Sequence, residues 1–165
     1  RINRVSDMGN GNGFNLTRIN MSAHSGTHMD APLHFYENGD SIEAAPFSAL
    51  IGPARVIGIT DPDIITAEVL AEENIQPGER ILFRTRNSDR NWPELAFTPD
   101  FVYLETNAAR FLAGSGVRVV GVDYLSVAGY GKNEADVHRA LLDAGVWVIE
   151  GLYLKDVITG HYKMN

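Results

Sequence analysis

Residues 24–34 read HSGTHMDAPLH, and this stretch holds three of the five histidines of the 165-residue chain. His24 and His28 are four residues apart, a spacing that would place both on one face of a helix. Gly26 between them and Pro32 after them disfavour a regular helix. The stretch therefore predicts the end of a strand that runs into a tight loop rich in imidazole side chains.

The side chains of this loop have the chemistry of a metal site. In extended backbone His28 and Asp30 point to the same side, and a bend at Gly26 lets His24 join them. Two neutral imidazoles and a carboxylate suit a divalent transition metal. His34, beyond the stiffening proline, is placed to carry protons. Two histidines at this spacing are more often ordinary surface or core residues, but the neighbouring aspartate, histidine, glycine and proline favour a metal site.

The same eleven residues resemble the H-x-G-T-H-x-D-x-P-x-H signature of the cyclase-type metal hydrolases, the family of bacterial kynurenine formamidases and isatin hydrolases. Seven fixed positions in so short a stretch make this motif specific. The resemblance implies a swivelling β/β/α fold and a second half of the metal site far along the chain.

Residues 137–152, which read VHRALLDAGVWVIEGL, are similar to the second metal-binding segment of that family. Considered alone, His138 on the solvent side of a helix and Glu150 where a strand meets water are the simpler interpretations. The resemblance instead implies two divalent metal ions, zinc first and manganese as the alternative, with Asp30 bridging them. The ligands that it implies are His24, His28 and Asp30 for one ion, and Asp30, His138 and Glu150 for the other.

The reaction that the resemblance implies is hydrolysis of a small-molecule amide by metal-activated water. His34 would then move the proton to the leaving nitrogen. The best-known substrate of the family is N-formylkynurenine, which gives kynurenine and formate. Two further hypotheses stay open: a related hydrolase of cyclic amides or lactones such as isatin, and a non-catalytic metal-binding protein. The presence of His34 argues against the last, because a structural metal site has no use for it.

Several other side chains have two interpretations each. Ser25 and Thr27 either steady the metal ligands or bond to loop backbone. Asp123, at the end of a strand, either contacts substrate or caps local structure. Trp92, Tyr124 and Tyr130 are candidate aromatic walls of a pocket or ordinary core and surface residues.

Composition limits the class of protein. With 44% hydrophobic residues, the chain suits a single domain over 1–165 with a substantial core. A net charge of −7 disfavours nucleic acid and anionic membranes as partners. The absence of cysteine excludes a zinc finger and fits the reducing cytoplasm, where we expect the protein to act. By comparison with the family, we expect the N- and C-terminal extremities to be missing and the chain to form a homo-oligomer, a dimer or tetramer.

Hydrophobic patterning predicts an α/β fold in which helices flank a mixed or largely parallel sheet. Residues 1–13 are polar and glycine-rich, and a flexible loop or turn is expected over 9–13. A strand that delivers the histidines is expected over 14–22, and a long loop over 87–99. The remaining predicted elements are strands at 54–59, 80–84, 101–104, 117–122 and 146–150, and helices at 66–73, 106–113 and 134–144.

Overall fold

A computed structural model describes residues 1–60 and 63–165 of the chain. The strands in this part are β1 (Ile2–Ser6), β2 (Leu16–Ile19), β3 (His28–Asp30), β4 (Gly52–Ile59), β5 (Ile64–Ile65), β6 (Arg80–Thr85), β7 (Tyr103–Leu104), β8 (Val119–Val122), β9 (Trp147–Glu150) and β10 (Gly160–Met164). The α-helices are α1 (Phe47–Leu50), α2 (Ala67–Ala71), α3 (Thr106–Gly114) and α4 (Glu134–Leu142).

Six of these strands form one mixed sheet in the order β10-β4-β6-β8-β9-β3. The four inner strands run parallel, and the edge strands β10 and β3 run antiparallel to their neighbours. The predicted α/β class and mixed sheet are therefore confirmed. β1 pairs with β2 in a separate hairpin, and β5 pairs with β7 in a short parallel ribbon.

The main core lies between the sheet and the helices α3 and α4. Apolar side chains of the inner strands alternate across the sheet, as the two-residue period of a strand requires. One face meets the buried side of the two helices: the residues packed there include Ile57, Phe83, Val120, Ala109, Leu112, Val137 and Leu141. The other face carries a smaller cluster in which Ala49 of α1 packs on Val119 and Trp147.

Two of the predicted boundaries are wrong in ways that have a physical explanation. No strand was expected within the polar residues 1–13, yet Ile2–Ser6 is one, because its partner β2 supplies the pairing that the polar sequence alone does not suggest. The strand expected over 54–59 begins two residues earlier, at Gly52. Pro53 is tolerated because it pairs only with the edge strand β10, while the ladder with β6 starts at Arg55.

This topology brings two distant segments of the chain together. Since the inner strands are parallel, their carboxyl ends lie at the same end of the sheet, where β9 ends at Glu150. β3 runs antiparallel to β9, so the histidine loop reaches the same end of the sheet. In the part of the chain that the structure describes, no helix is long and apolar enough to cross a membrane.

Candidate metal centre

The pairing of β3 with β9 places His28 directly opposite Glu150. Directly opposed residues of an antiparallel pair project from the same face of the sheet. Asp30, two residues after His28, projects from that face as well. The register of one short strand therefore brings a histidine and two carboxylates together, although more than a hundred residues separate Glu150 from His28 and Asp30.

The predicted ligand residues converge on the carboxylate of Asp30. Nδ1 of His24 lies 3.0 Å from Oδ1 of Asp30, and Nε2 of His28 lies 3.5 Å from the same oxygen. Nε2 of His138 lies 3.5 Å from Oδ2 of Asp30 and 3.1 Å from Oε1 of Glu150. The side chains thus form two groups that share Asp30, and within each group the potential ligand atoms lie within 4.8 Å of one another.

His138 reaches the cluster from α4, which packs against β9. Its ring is buried, not on the solvent side of the helix. The ring of Phe35 stacks on it, with centroids 4.4 Å apart. Sequence reasoning missed this contact, because Phe35 directly follows residues 24–34 and the packing of that segment on α4 arises from tertiary contacts.

Backbone carbonyls fix the tautomers of two histidines. Nδ1 of His138 donates to the carbonyl of Glu134 at 2.6 Å, and Nδ1 of His28 donates to the carbonyl of Gly26 at 3.0 Å. In the neutral rings the Nε2 lone pairs therefore face the carboxylates. Such orientation by a carbonyl is typical of metal-binding histidines.

The carboxylate of Asp30 is buried without a hydrogen-bond donor. Its side chain has no exposed surface, and neither oxygen accepts a hydrogen bond within the described residues. A buried carboxylate of this kind is costly unless a cation compensates it. Imidazole nitrogens that converge on a buried carboxylate fit a divalent metal ion well.

The charges of the cluster are strongly coupled. Burial raises the pKa of Asp30, but the imidazoles of His138, His34 and His28 outweigh burial and hold the pKa below its ordinary value. Burial lowers the pKa of His138, but contacts with Asp30 and Glu150 outweigh it and raise the pKa to about 9. Without a metal ion, a proton on His138 is thus the available counter-charge for the two carboxylates.

The cluster opens to solvent on the side of His24 and His34. The side chain of His24 is 39% exposed, whereas that of His28 is 11% exposed. The rings of His24 and His34 lie 4.0 Å apart between centroids. An open cleft of about 590 Å³ borders them, and Leu33 and Ile42 add apolar surface to its lining. A small molecule can therefore approach the cluster from this side.

Comparison with known proteins agrees with this geometry. The model of the Cyclase family, described as "Putative cyclase", matches residues 4–128. The chain belongs to the Cyclase family. A kynurenine formamidase of Salinibacter ruber is 33% identical over 154 residues, which cover 91% of this chain and 70% of the relative.

Solved structures of cyclase-family proteins have the same fold. A "Potential Metal-Dependent Hydrolase With Cyclase Activity" superposes with a TM-score of 0.85 at 37% identity, over 99% of this chain and 76% of its own. Isatin hydrolase A of Labrenzia aggregata superposes with a TM-score of 0.78 at 28% identity, over 97% of this chain and 73% of its own. The chain is a hydrolase of this family.

Two contacts in this cyclase-family hydrolase hold the halves of the cluster together. The hydroxyl of Thr27 donates to the carbonyl of Gly151 at 2.7 Å, which links the histidine loop to the residue after Glu150. The backbone N–H of Val127 donates to Oε1 of Glu150 at 2.7 Å and orients that carboxylate. Thr27 therefore bonds to backbone, one of its two expected roles, and through that bond it steadies the end of β9.

Asp123 has a structural environment in the cyclase-family chain. It is fully buried and accepts hydrogen bonds from the backbone N–H and the hydroxyl of both Thr85 and Ser88. This arrangement favours the capping interpretation over contact with substrate. Among the aromatic candidates, Tyr124 is buried in a small aromatic cluster against Trp92, and Tyr130 is 60% exposed.

Proposed function

We propose that the chain is an arylformamidase that hydrolyses N-formylkynurenine to kynurenine and formate. The similarity to kynurenine formamidases of Salinibacter ruber and Bacillus cytotoxicus supports this substrate. The single observation that carries the chemistry is the buried carboxylate of Asp30, which lacks hydrogen-bond donors and is shared by two groups of potential ligands.

We propose that two divalent ions, zinc or else manganese, bind at these groups. His24 and His28 would hold one ion, His138 and Glu150 the other, and Asp30 both. Ions bound there would supply Lewis acidity, which polarises a carbonyl and lowers the pKa of water toward neutrality. The spread of the ligands over two strands, a helix and a loop fits a site that rigid elements support from several sides.

His34 is the proposed proton carrier. Its partial burial lowers the pKa below the ordinary value, against the opposing charge of Asp30. At neutral pH the imidazole is therefore largely neutral and can accept a proton on a ring nitrogen. Its position beside His24 at the open side of the cluster lets it pass that proton to the leaving nitrogen of the substrate.

The cleft beside His24 and His34 would hold the rest of the substrate. Leu33 and Ile42 offer apolar surface for an aromatic ring, and both side chains are about half exposed, at 50% and 48%. Burial of an aromatic ring against such surface is favourable. An aryl amide would thus place its carbonyl near the ligand cluster and its ring over the apolar lining.

Hydrolysis of a cyclic amide is the second candidate. The likeness to isatin hydrolase A favours it, since the two folds superpose over nearly the whole of this chain. A substrate panel separates the two candidates: the arylformamidase proposal expects a higher kcat/KM for N-formylkynurenine than for isatin. The reverse order would assign the chain to the second candidate.

We further propose that the chain forms a homo-oligomer, a dimer or tetramer. The hairpin of β1 and β2 supports this, because Ile2, Leu16 and Ile19 are 73%, 52% and 61% exposed. Ile2 pairs directly with Ile19 across the hairpin, and adjacent exposed apolar side chains are common in protein interfaces. Light scattering coupled to size-exclusion chromatography measures the assembly directly, and a monomeric mass would overturn the proposal.

The test of the proposed function is the variant Asp30→Asn. The amide keeps the size of the side chain but removes the shared negative charge, so we expect loss of bound metal and of N-formylkynurenine hydrolysis. Asp156→Asn is the matched control, because Asp156 is exposed and lies outside the cluster. Full turnover or full metal content in Asp30→Asn would refute the assignment.

A further inference from the structure

A second polar cleft lies at the opposite end of the sheet from the metal centre. It has a volume of about 360 Å³ and lies where β6 and β8 begin, whereas Glu150 lies where the parallel strand β9 ends. The charged residues and the histidine that line it are Arg55, Glu79, Arg80, Arg118 and His161. Cationic groups thus predominate in this cleft of a chain whose net charge is −7.

Arg80 is a buried cation held only by neutral groups. The residue is 5% exposed, and its guanidinium donates to the carbonyls of Ala49 at 2.6 Å, Ile51 at 2.9 Å and Pro53 at 3.1 Å. It also donates to the carbonyl of Ser48. These carbonyls satisfy the N–H groups, but they do not neutralise the charge, and a buried charge without a counter-ion is costly.

A second guanidinium lies next to this buried one. Arg118 donates to the same carbonyl of Ser48, at 2.9 Å. Among residues 1–60 and 63–165, neither Arg80 nor Arg118 forms an ion pair with a carboxylate. The nearby Glu79 is engaged by Arg55 at 3.1 Å instead. Capping of the carbonyls of α1 accounts for the contacts of both arginines, but it leaves their two adjacent charges without a counter-charge.

Arg55 adds a third guanidinium to the lining of the cleft. Its Nη1 donates to the carbonyl of Glu73 and its Nη2 to Glu79. Its Nε is buried and has no acceptor within the described residues. Buried donors without an acceptor are rare in folded proteins, and a bound anion or water is a common reason for one.

We propose that this cleft binds a tetrahedral oxyanion, either inorganic phosphate or the phosphate group of a small monoester. The guanidinium of Arg118 can donate paired, charge-assisted hydrogen bonds to the oxygens of phosphate. Arg80, whose N–H groups already donate to carbonyls, would act through its charge. An anion there would neutralise the two adjacent cations. The site shares no residue with the metal centre, so it does not depend on the proposed function.

The test is a titration of the full chain with inorganic phosphate at constant ionic strength. Isothermal titration calorimetry measures the heat of binding. We expect saturable binding that Arg118→Gln weakens by about tenfold or more, since it removes a charge-assisted contact. Arg110→Gln is the matched control, because Arg110 is exposed on α3 and does not line the cleft. It should change the affinity less than twofold. Arg118 is preferred to Arg80 as a target because its side chain is exposed.

Two further experiments show where the anion binds and which kind of phosphate it is. The Asp30→Asn variant should bind phosphate with unchanged affinity. A second titration uses glycerol phosphate. It should bind more tightly than inorganic phosphate if the ligand is a monoester, and more weakly if the ligand is the free ion. Loss of binding in Asp30→Asn together with retention in Arg118→Gln would place phosphate at the metal centre and overturn the proposal. Absence of saturable binding to the wild-type chain, or equal affinities in the two arginine variants, would overturn it too.

Discussion

Gly151 packs so closely against the backbone of Gly26 that a side chain at position 151 has no room. A Cβ there would lie 2.8 Å from the carbonyl carbon of Gly26 and 3.2 Å from the backbone nitrogen of Thr27. Gly151 also has a φ of 72°, in the left-handed region that favours glycine. This contact sets how closely the histidine loop approaches the end of β9, and therefore how closely His28 approaches Glu150.

Gly151→Ala should separate the two halves of the candidate metal centre. Because the atoms that it meets belong to the backbone, the loop must shift, so we expect reduced metal content and a melting temperature lower by several degrees. Gly145→Ala is the matched control: Gly145 has a φ of 74°, but a Cβ there meets no atom within 4 Å. It should cost about 1 kcal/mol through backbone strain alone and leave the metal content intact. Equal metal contents in the two variants would contradict this role of Gly151.

His34→Gln should reduce turnover without emptying the site. The proposed role of His34 is proton transfer, a contribution worth roughly 10²- to 10⁴-fold in rate. We expect kcat to fall by that order while KM changes little and the metal content stays at the wild-type value. Steady-state kinetics together with metal analysis of the purified variant measure all three. Unchanged kcat would remove His34 from the mechanism, and loss of metal would make it a ligand instead.

Asp123→Asn should weaken the fold and spare the site. The carboxylate accepts hydrogen bonds from two backbone N–H groups and two hydroxyls, and an amide nitrogen in its place would face those donors. We expect the free energy of unfolding in urea to fall by about 3 kcal/mol. Metal bound per folded chain should stay unchanged. A variant of wild-type stability with altered substrate kinetics would instead favour the contact with substrate.

The histidine loop was predictable because its information is local. His24, His28 and Asp30 lie within seven residues, and the alternation of side chains in extended backbone places the last two on one side. The inner strands were predictable for a similar reason: stretches such as Val119–Val122 are wholly buried and apolar. The predicted ends of helices and strands were less accurate: the helix expected over 134–144 ends at Leu142.

The second half of the cluster was not predictable from spacing. His138 and Glu150 each had an ordinary surface interpretation, and only the family resemblance connected them with Asp30. What joins them in the structure is the register of β3 on β9 and the packing of α4, both of which arise from tertiary contacts. β10 was missed because its partner β4 is more than a hundred residues away along the chain.

Removal of metal by a chelator should destabilise the wild-type chain far more than it destabilises the Asp30→Asn variant. An ion that binds only the folded state stabilises it by about 4 kcal/mol when its concentration is a thousand times Kd. The variant lacks the shared carboxylate, so its melting temperature should barely respond to the chelator. Scanning calorimetry before and after dialysis against the chelator measures the difference.

Addition of zinc or manganese to the stripped wild-type chain should then restore both stability and hydrolysis. The metal that restores more turnover per bound ion is the catalytic one. Equal chelator effects on the two chains would show that Asp30 does not hold the ion.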